Sequence, residues 1–212
     1  MACPICNKRK AKRFCPARAE TICSVCCGTE REVTLDCPSD CEYLKASREY
    51  DLDRRDFDPD TLPFRDVQIP NSFVREHGKL LDALAYAVSL FARENRPLVD
   101  SDVVATLRSL AETYRTLASG LIYENPPEYN LQRRLYQSLR RAIDDYKQAE
   151  QQQLGLSSTR DGEIRDALIL FAQVAATHAN GRPKGRAYID FLGNQFAPGE
   201  LPDQASNIIL PY

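Results

Sequence analysis

All eight cysteines of the 212-residue chain lie within its first 41 residues: Cys3, Cys6, Cys15, Cys23, Cys26, Cys27, Cys37 and Cys41. None follows Cys41. Eight thiolates are the ligand count of two tetrahedral four-cysteine metal sites. A segment of about forty residues is too short to build an adequate core by itself, and bound metal supplies the missing folding free energy. The chain is therefore expected to open with a metal-stabilised module.

The spacing is C-x2-C-x8-C-x7-C-x2-C-C-x9-C-x3-C. Cys3-Pro4-Ile5-Cys6 reads as a knuckle, a tight turn aiming two sulfurs at one ion. Cys37-Pro38-Ser39-Asp40-Cys41 places proline where a helix could start, with Cys41 one turn on and on the same face as Cys37. Cys23, Cys26 and Cys27 bring three thiolates into one short element. Of Cys26 and Cys27, one can face each of two metals, and the isolated Cys15 needs such a partner. Four thiolates also suit an iron–sulfur cluster, although the run C-x2-C-x2-C-x3-C-P is missing. The same ligands would serve a thiol-based redox sensor that releases its metal on oxidation. Catalytic zinc commonly keeps an open position and a histidine or carboxylate ligand, whereas closed four-cysteine sets are structural.

The segment 3–41 resembles the HIT-type zinc finger and, more loosely, the cross-braced MYND and B-box fingers. The residues that carry the likeness are Arg13-Phe14-Cys15-Pro16 and Thr21-Ile22-Cys23-Ser24-Val25-Cys26-Cys27. The resemblance implies two Zn2+ per chain with interleaved ligands. Carried over, Cys3, Cys6, Cys23 and Cys27 hold the first zinc, and Cys15, Cys37 and Cys41 hold part of the second. The family's fourth cysteine falls on Arg18, so Cys26 fills the vacancy in the second site. An exchange of Cys26 and Cys27 between the two sites is the alternative. The family's late histidine is absent. HIT-type fingers are generally protein-interaction modules, so the resemblance also implies protein partners.

Beyond the cysteines the apolar period becomes helical. Residues 46–70 alternate charges and then meet Pro59, Pro63 and Pro70, which suggests a linker between the module at 1–45 and the helical part of the chain. One helix is expected from Asn71 or Ser72 to about Asn95, with Val74 among its inward residues, and a second from Asp100 to a stop at Gly120. A third starts after Pro126-Pro127 and ends near Gly155. A fourth runs from about Thr159 or Asp161 to Asn180-Gly181, and a short fifth spans about 184–196. The fold class is thus mainly α: a small two-zinc finger followed by an antiparallel helical bundle over 71–197, with an extended tail over 198–212.

The net charge of −2 argues against a general nucleic-acid coat, but the charge is uneven. Residues 1–20 carry six bases and a single acid, and residues 21–60 carry five bases and eleven acids. Lys8, Arg9, Lys10, Lys12 and Arg13 form a basic loop that could touch phosphates. Phe14 is expected to pack on the finger, so the loop has no aromatic set for stacking bases. The stretch Asn180-Gly181-Arg182-Pro183-Lys184-Gly185-Arg186 could bind an anion, but turn chemistry accounts for its glycines and proline. Arg133-Arg134 and Arg140-Arg141 read as a solvent face. His77 and His178 read as core or surface residues, and no catalytic constellation or small-molecule substrate site is evident.

Apolar runs are too short and too interrupted to span a bilayer, and no signal peptide is seen. A cytoplasmic protein with no membrane partner is expected, in which reduced thiols serve as ligands. The leading expectation is a non-enzymatic protein-interaction or adaptor protein, its structural zinc module tethered to a helical domain. A nucleic-acid-binding or regulatory protein using the loop 8–13 is the alternative.

Overall fold

A computed structural model describes residues 1–54, 58–156 and 158–196; the tail expected to be extended over 198–212 lies outside these. The chain is mainly helical. A two-stranded antiparallel hairpin, β1 (Arg13–Cys15) and β2 (Glu20–Ile22), opens the structure, with Arg13 opposite Ile22, Phe14 opposite Thr21 and Cys15 opposite Glu20. Among the described residues eight α-helices come after it, besides a short 3-10 turn at Pro59–Thr61: α1 (Ser24–Glu30), α2 (Glu42–Arg54), α3 (Asn71–Glu76), α4 (Gly78–Glu94), α5 (Asp100–Ala118), α6 (Asn130–Leu154), α7 (Asp161–His178) and α8 (Ala187–Gly193).

The bundle core is a single apolar cluster. Leu80, Leu84 and Val88 of α4 meet Leu107 and Leu110 of α5, Leu135 and Leu139 of α6, and Ile164 and Leu168 of α7, all fully buried. α5 packs chiefly on α7 and α6, and α4 on α6 and α8. The helix starts use carboxylates three residues in. Asp102 accepts from the Val99 N–H at 3.3 Å and Glu163 from the Arg160 N–H at 2.8 Å, satisfying amides that have no intrahelical partner. At the end of α6, Gly155 takes the left-handed conformation (φ 76°) that a side chain would oppose, and its N–H closes on the Gln151 carbonyl.

Four local expectations change. The helix expected over 71–95 is two helices, α3 and α4, which meet at His77 (φ −116°). Val74, expected inward, is 51% exposed. Residues 46–54 of the span expected as a linker belong to α2, which is held because Leu44 is buried to 1% exposure and Arg48, one turn further along the same face, bonds inward. Residues 38–41 make a turn closed by the Cys41 N–H on the Pro38 carbonyl, and the helix starts only at Glu42.

Candidate metal centre

The turn at Cys3–Cys6 and the start of α1 build the site, with the hairpin between them. Strand alternation turns Cys15 and Ile22 inward while Phe14 and Thr21 face out. Cys3, Cys15, Ile22, Cys23, Cys26 and Leu35 form a second small buried cluster, separate from the bundle core. All eight cysteines are free thiols.

The sulfurs of Cys3, Cys6, Cys23 and Cys26 lie within 4.8 Å of one another. Those of Cys6 and Cys23 are 3.9 Å apart. Four thiolates about 2.3 Å from a central ion form a tetrahedron whose edge is about 3.8 Å, so the group has the dimensions of a closed four-sulfur metal site. Cys26 stands where the sequence reading placed Cys27. The reason lies in α1. Cys23 is its N-cap residue, and its sulfur accepts the Cys26 N–H at 3.4 Å, which brings residue 26 back over the same sulfur. Cys27, one residue and about 100° further round the helix, turns away. Its sulfur instead lies 3.7 Å from an Arg31 guanidinium nitrogen.

Backbone amides tune the cluster. The N–H groups of Lys8 and Arg9 lower the Cys6 thiol to about 6. At Cys3 burial acts upward, but the N–H groups of Cys23, Cys6 and Ile5 outweigh it and the thiol is lowered. Burial, with the neighbouring thiols of Cys23, Cys6 and Cys3, pushes Cys26 up to about 12. Three sulfurs crowding a fourth is the arrangement that a divalent cation relieves, since metal ligation replaces the proton on each thiol.

Cys15, Cys27, Cys37 and Cys41 lie outside this group. Burial raises the Cys37 thiol, with Cys41 and Cys15 adding to the rise. A hydrogen bond with Glu42 and burial raise the Tyr43 hydroxyl, and Cys27 adds the least to the rise.

The module is bonded to the bundle. Glu32, 2% exposed and in the left-handed region (φ 50°), is the hub. Its carboxylate accepts from Arg48 at 2.7 Å, from Asn180 at 2.6 Å and from the Arg186 N–H at 3.4 Å, and its carbonyl accepts the Lys184 N–H at 2.8 Å. Arg182 donates to the carbonyls of Arg31 (2.6 Å) and Gly28 (3.2 Å), and Lys184 donates to that of Thr34 (2.8 Å). The other arm of Arg48 reaches Asp190 of α8 at 2.6 Å, which also accepts from Ser39. The stretch 180–186 is thus a strap across the cysteine module, and its bases are engaged by carbonyls. Sequence reasoning missed Glu32 altogether, because a single acid in a turn carries no pattern.

Asp100 fixes the far end of this strap. It is 2% exposed, accepts the N–H groups of Tyr188 and Ile189 at 3.1 Å each, and donates its own N–H to the Gly185 carbonyl. Burial raises its carboxyl to about 6, although the two amides oppose the rise.

The basic loop divides. The Arg13 guanidinium lies 4.7 Å from the centre of the Tyr43 ring, so it belongs to the module's own packing. Lys8, Arg9, Lys10 and Lys12 are exposed. Phe14, expected to pack on the finger, is 59% exposed, because strand alternation turns it away from Cys15. His77 packs on Phe73 and His178 on Phe191, each with ring centres 4.3 Å apart. Arg140 pairs with Glu124, and Arg134 lies over the Phe91 ring at 5.7 Å. None of the described helices is long and apolar enough to cross a membrane. No protein-family model, curated protein or solved structure matches this chain at a significant level.

Proposed function

We propose that this chain is a non-enzymatic adaptor whose amino-terminal module binds two structural zinc ions. Cys3, Cys6, Cys23 and Cys26 would hold the first and Cys15, Cys27, Cys37 and Cys41 the second, in the interleaved order of the HIT-type fingers it resembles. The observation that carries the reading is the closed sulfur group, in which every donor is a cysteine sulfur and the 3.9 Å edge between Cys6 and Cys23 matches a tetrahedral site. Such an ion supplies folding free energy and fixes geometry. The residues around it do the rest. Glu32, Arg48 and Arg182 fasten the module to the bundle, so the surfaces of both parts are held in one frame.

A protein partner has an apolar place to dock. Leu121, Ile122 and Tyr123, between α5 and α6, are 63%, 90% and 64% exposed, and Tyr129 is 58% exposed. Consecutive exposed apolar residues of this kind are characteristic of interaction sites. The test is affinity capture with the metal-loaded full chain as bait, beside an Ile122→Asp, Tyr123→Asp variant and metal-stripped protein. A partner retained by the wild type and lost with either change supports the adaptor reading. Capture indifferent to both changes would overturn it.

A further inference from the structure

The hairpin β1–β2 and the loop before it present cations and an aromatic ring with no structural task of their own. Many of the chain's other bases are engaged. Arg18, Arg48, Arg65, Arg115, Arg140, Lys147, Arg160 and Arg165 pair with carboxylates, and Arg182, Lys184 and Arg186 bond to carbonyls. Lys8, Arg9, Lys10 and Lys12 are exposed and form no ion pair or side-chain hydrogen bond among the described residues. Their backbone is nevertheless held. The Cys3 N–H bonds the Arg9 carbonyl at 2.8 Å, the Lys12 N–H bonds the Ile22 carbonyl at 2.9 Å, and Lys10 bridges to Ala2. Four cations are thereby fixed along a short track at no further cost in backbone order.

Phe14 lies two residues past Lys12, on the outward face of β1 opposite Thr21. At 59% exposure it contributes little to the buried cluster, from which it is absent. The one acid on the hairpin, Glu20, is paired with Arg18 at 3.0 Å and so is offset where it stands. A basic track beside an exposed aromatic face is the combination that binds single-stranded nucleic acid. The cations follow the phosphates and the ring stacks on a base, without sequence preference. A duplex hides its base faces, and an anionic lipid surface gives a lone ring in a polar strand little to stack upon.

We propose that Lys8, Arg9, Lys10, Lys12 and Phe14 form a docking surface for single-stranded nucleic acid. The proposal rests on the metal-organised module, because the backbone bonds from Cys3 to Arg9 and from Lys12 to Ile22 hold the track in place.

The test is fluorescence anisotropy of a labelled oligouridylate with the metal-loaded full chain, over a series of salt concentrations. Metal content is measured on every sample. Four phosphate contacts give a slope of log affinity against log salt of about −3, and Lys10→Glu with Lys12→Glu flattens it by about half. Phe14→Ala weakens binding roughly tenfold at every salt concentration, and Phe14→Tyr restores it. Duplex DNA of the same length and vesicles rich in phosphatidylserine bind less well than the oligouridylate. Loss of affinity in Phe14→Ala with metal content unchanged supports the proposal. No binding at about 25 mM salt by fully metallated protein overturns it and leaves the zinc-adaptor reading intact. Equal affinity of Phe14→Ala, or stronger binding to vesicles or duplex, overturns it as well. Protein that holds no metal overturns the reading on which it rests.

Discussion

Arg48 and Glu32 are bonded at 2.7 Å across the seam between α2 and the cysteine module, with the Glu32 side chain 2% exposed. The other arm of Arg48 takes Asp190 at 2.6 Å, so one guanidinium balances two carboxylates from different parts of the chain. Removing one partner of a buried pair leaves the other desolvated and unpaired. Arg48→Ala is expected to cost about 3 kcal/mol or more in urea unfolding, well above an exposed pair such as Arg65–Asp60. A cost below about 1 kcal/mol would show that the seam does not depend on it.

Asp100 gives the fold an unusual response to pH. Its carboxyl is raised from 3.8 to about 6. Below about pH 4 it is neutral in both the folded and the unfolded chain, and burial carries no penalty. Above about 6 it is charged in both, and the penalty of about 3 kcal/mol is fully felt. The stability it contributes is therefore lost as pH rises through the window from about 4 to 6. Comparing wild type with Asp100→Asn cancels the titration of the thiols. The variant should gain on the wild type across that window, and a difference that stays flat with pH would refute the assignment.

Gly185 has no room for a methyl group. An added Cβ would stand 2.6 Å from the Asn180 side-chain oxygen and 3.1 Å from the Arg182 carbonyl. That oxygen accepts the Arg182 N–H, and the amide nitrogen of the same side chain holds Glu32, so moving Asn180 disturbs the strap. Gly185→Ala should cost about 1–3 kcal/mol. Gly162, in the first turn of α7 with nothing within 4 Å of its Cβ position, should accept alanine with a gain of up to about 1 kcal/mol. Thermal unfolding of the two variants gives shifts of opposite sign if the strap is as described.

The bundle was legible because its helices carry a broad apolar stripe and end at recognisable stops such as Gly120 and Gly155. α2 was not, because its inner face consists of Leu44 and the charged Arg48, which leave no periodic stripe in a polar helix. That Cys3 and Cys6 share a site with the Cys23 element was implied by the resemblance to the HIT-type fingers, but the choice between Cys26 and Cys27 could not be read in advance. It depends on where α1 begins, and hence on the Cys26 N–H meeting the Cys23 sulfur. The role of 180–186 was hidden for a different reason. Its Gly and Pro fit an ordinary turn, and its partners Glu32, Gly28 and Arg31 lie some 150 residues away in sequence.

Chelation should reach beyond the module. Stripping the metal removes what holds Cys3, Cys6, Cys23 and Cys26 together, and the strap then loses the carbonyls of Gly28, Arg31 and Thr34. Hydrogen exchange should accelerate over residues 1–41 and also over 180–186, while the cores of α4 to α7 stay protected. Unchanged exchange in 180–186 would mean that strap and module are not coupled.

The most direct test of the two-zinc account is metal content per chain, by elemental analysis, in paired cysteine variants. The wild type should carry two zinc ions. Cys3→Ser with Cys26→Ser removes two ligands from one site and should leave one ion, whereas Cys3→Ser with Cys27→Ser strikes both sites and should leave none. The reverse result, one ion retained in the Cys3 and Cys27 variant and none in the Cys3 and Cys26 variant, would contradict the grouping seen in the structure. Iron with sulfide, or no metal in the wild type, would contradict the structural-zinc account itself.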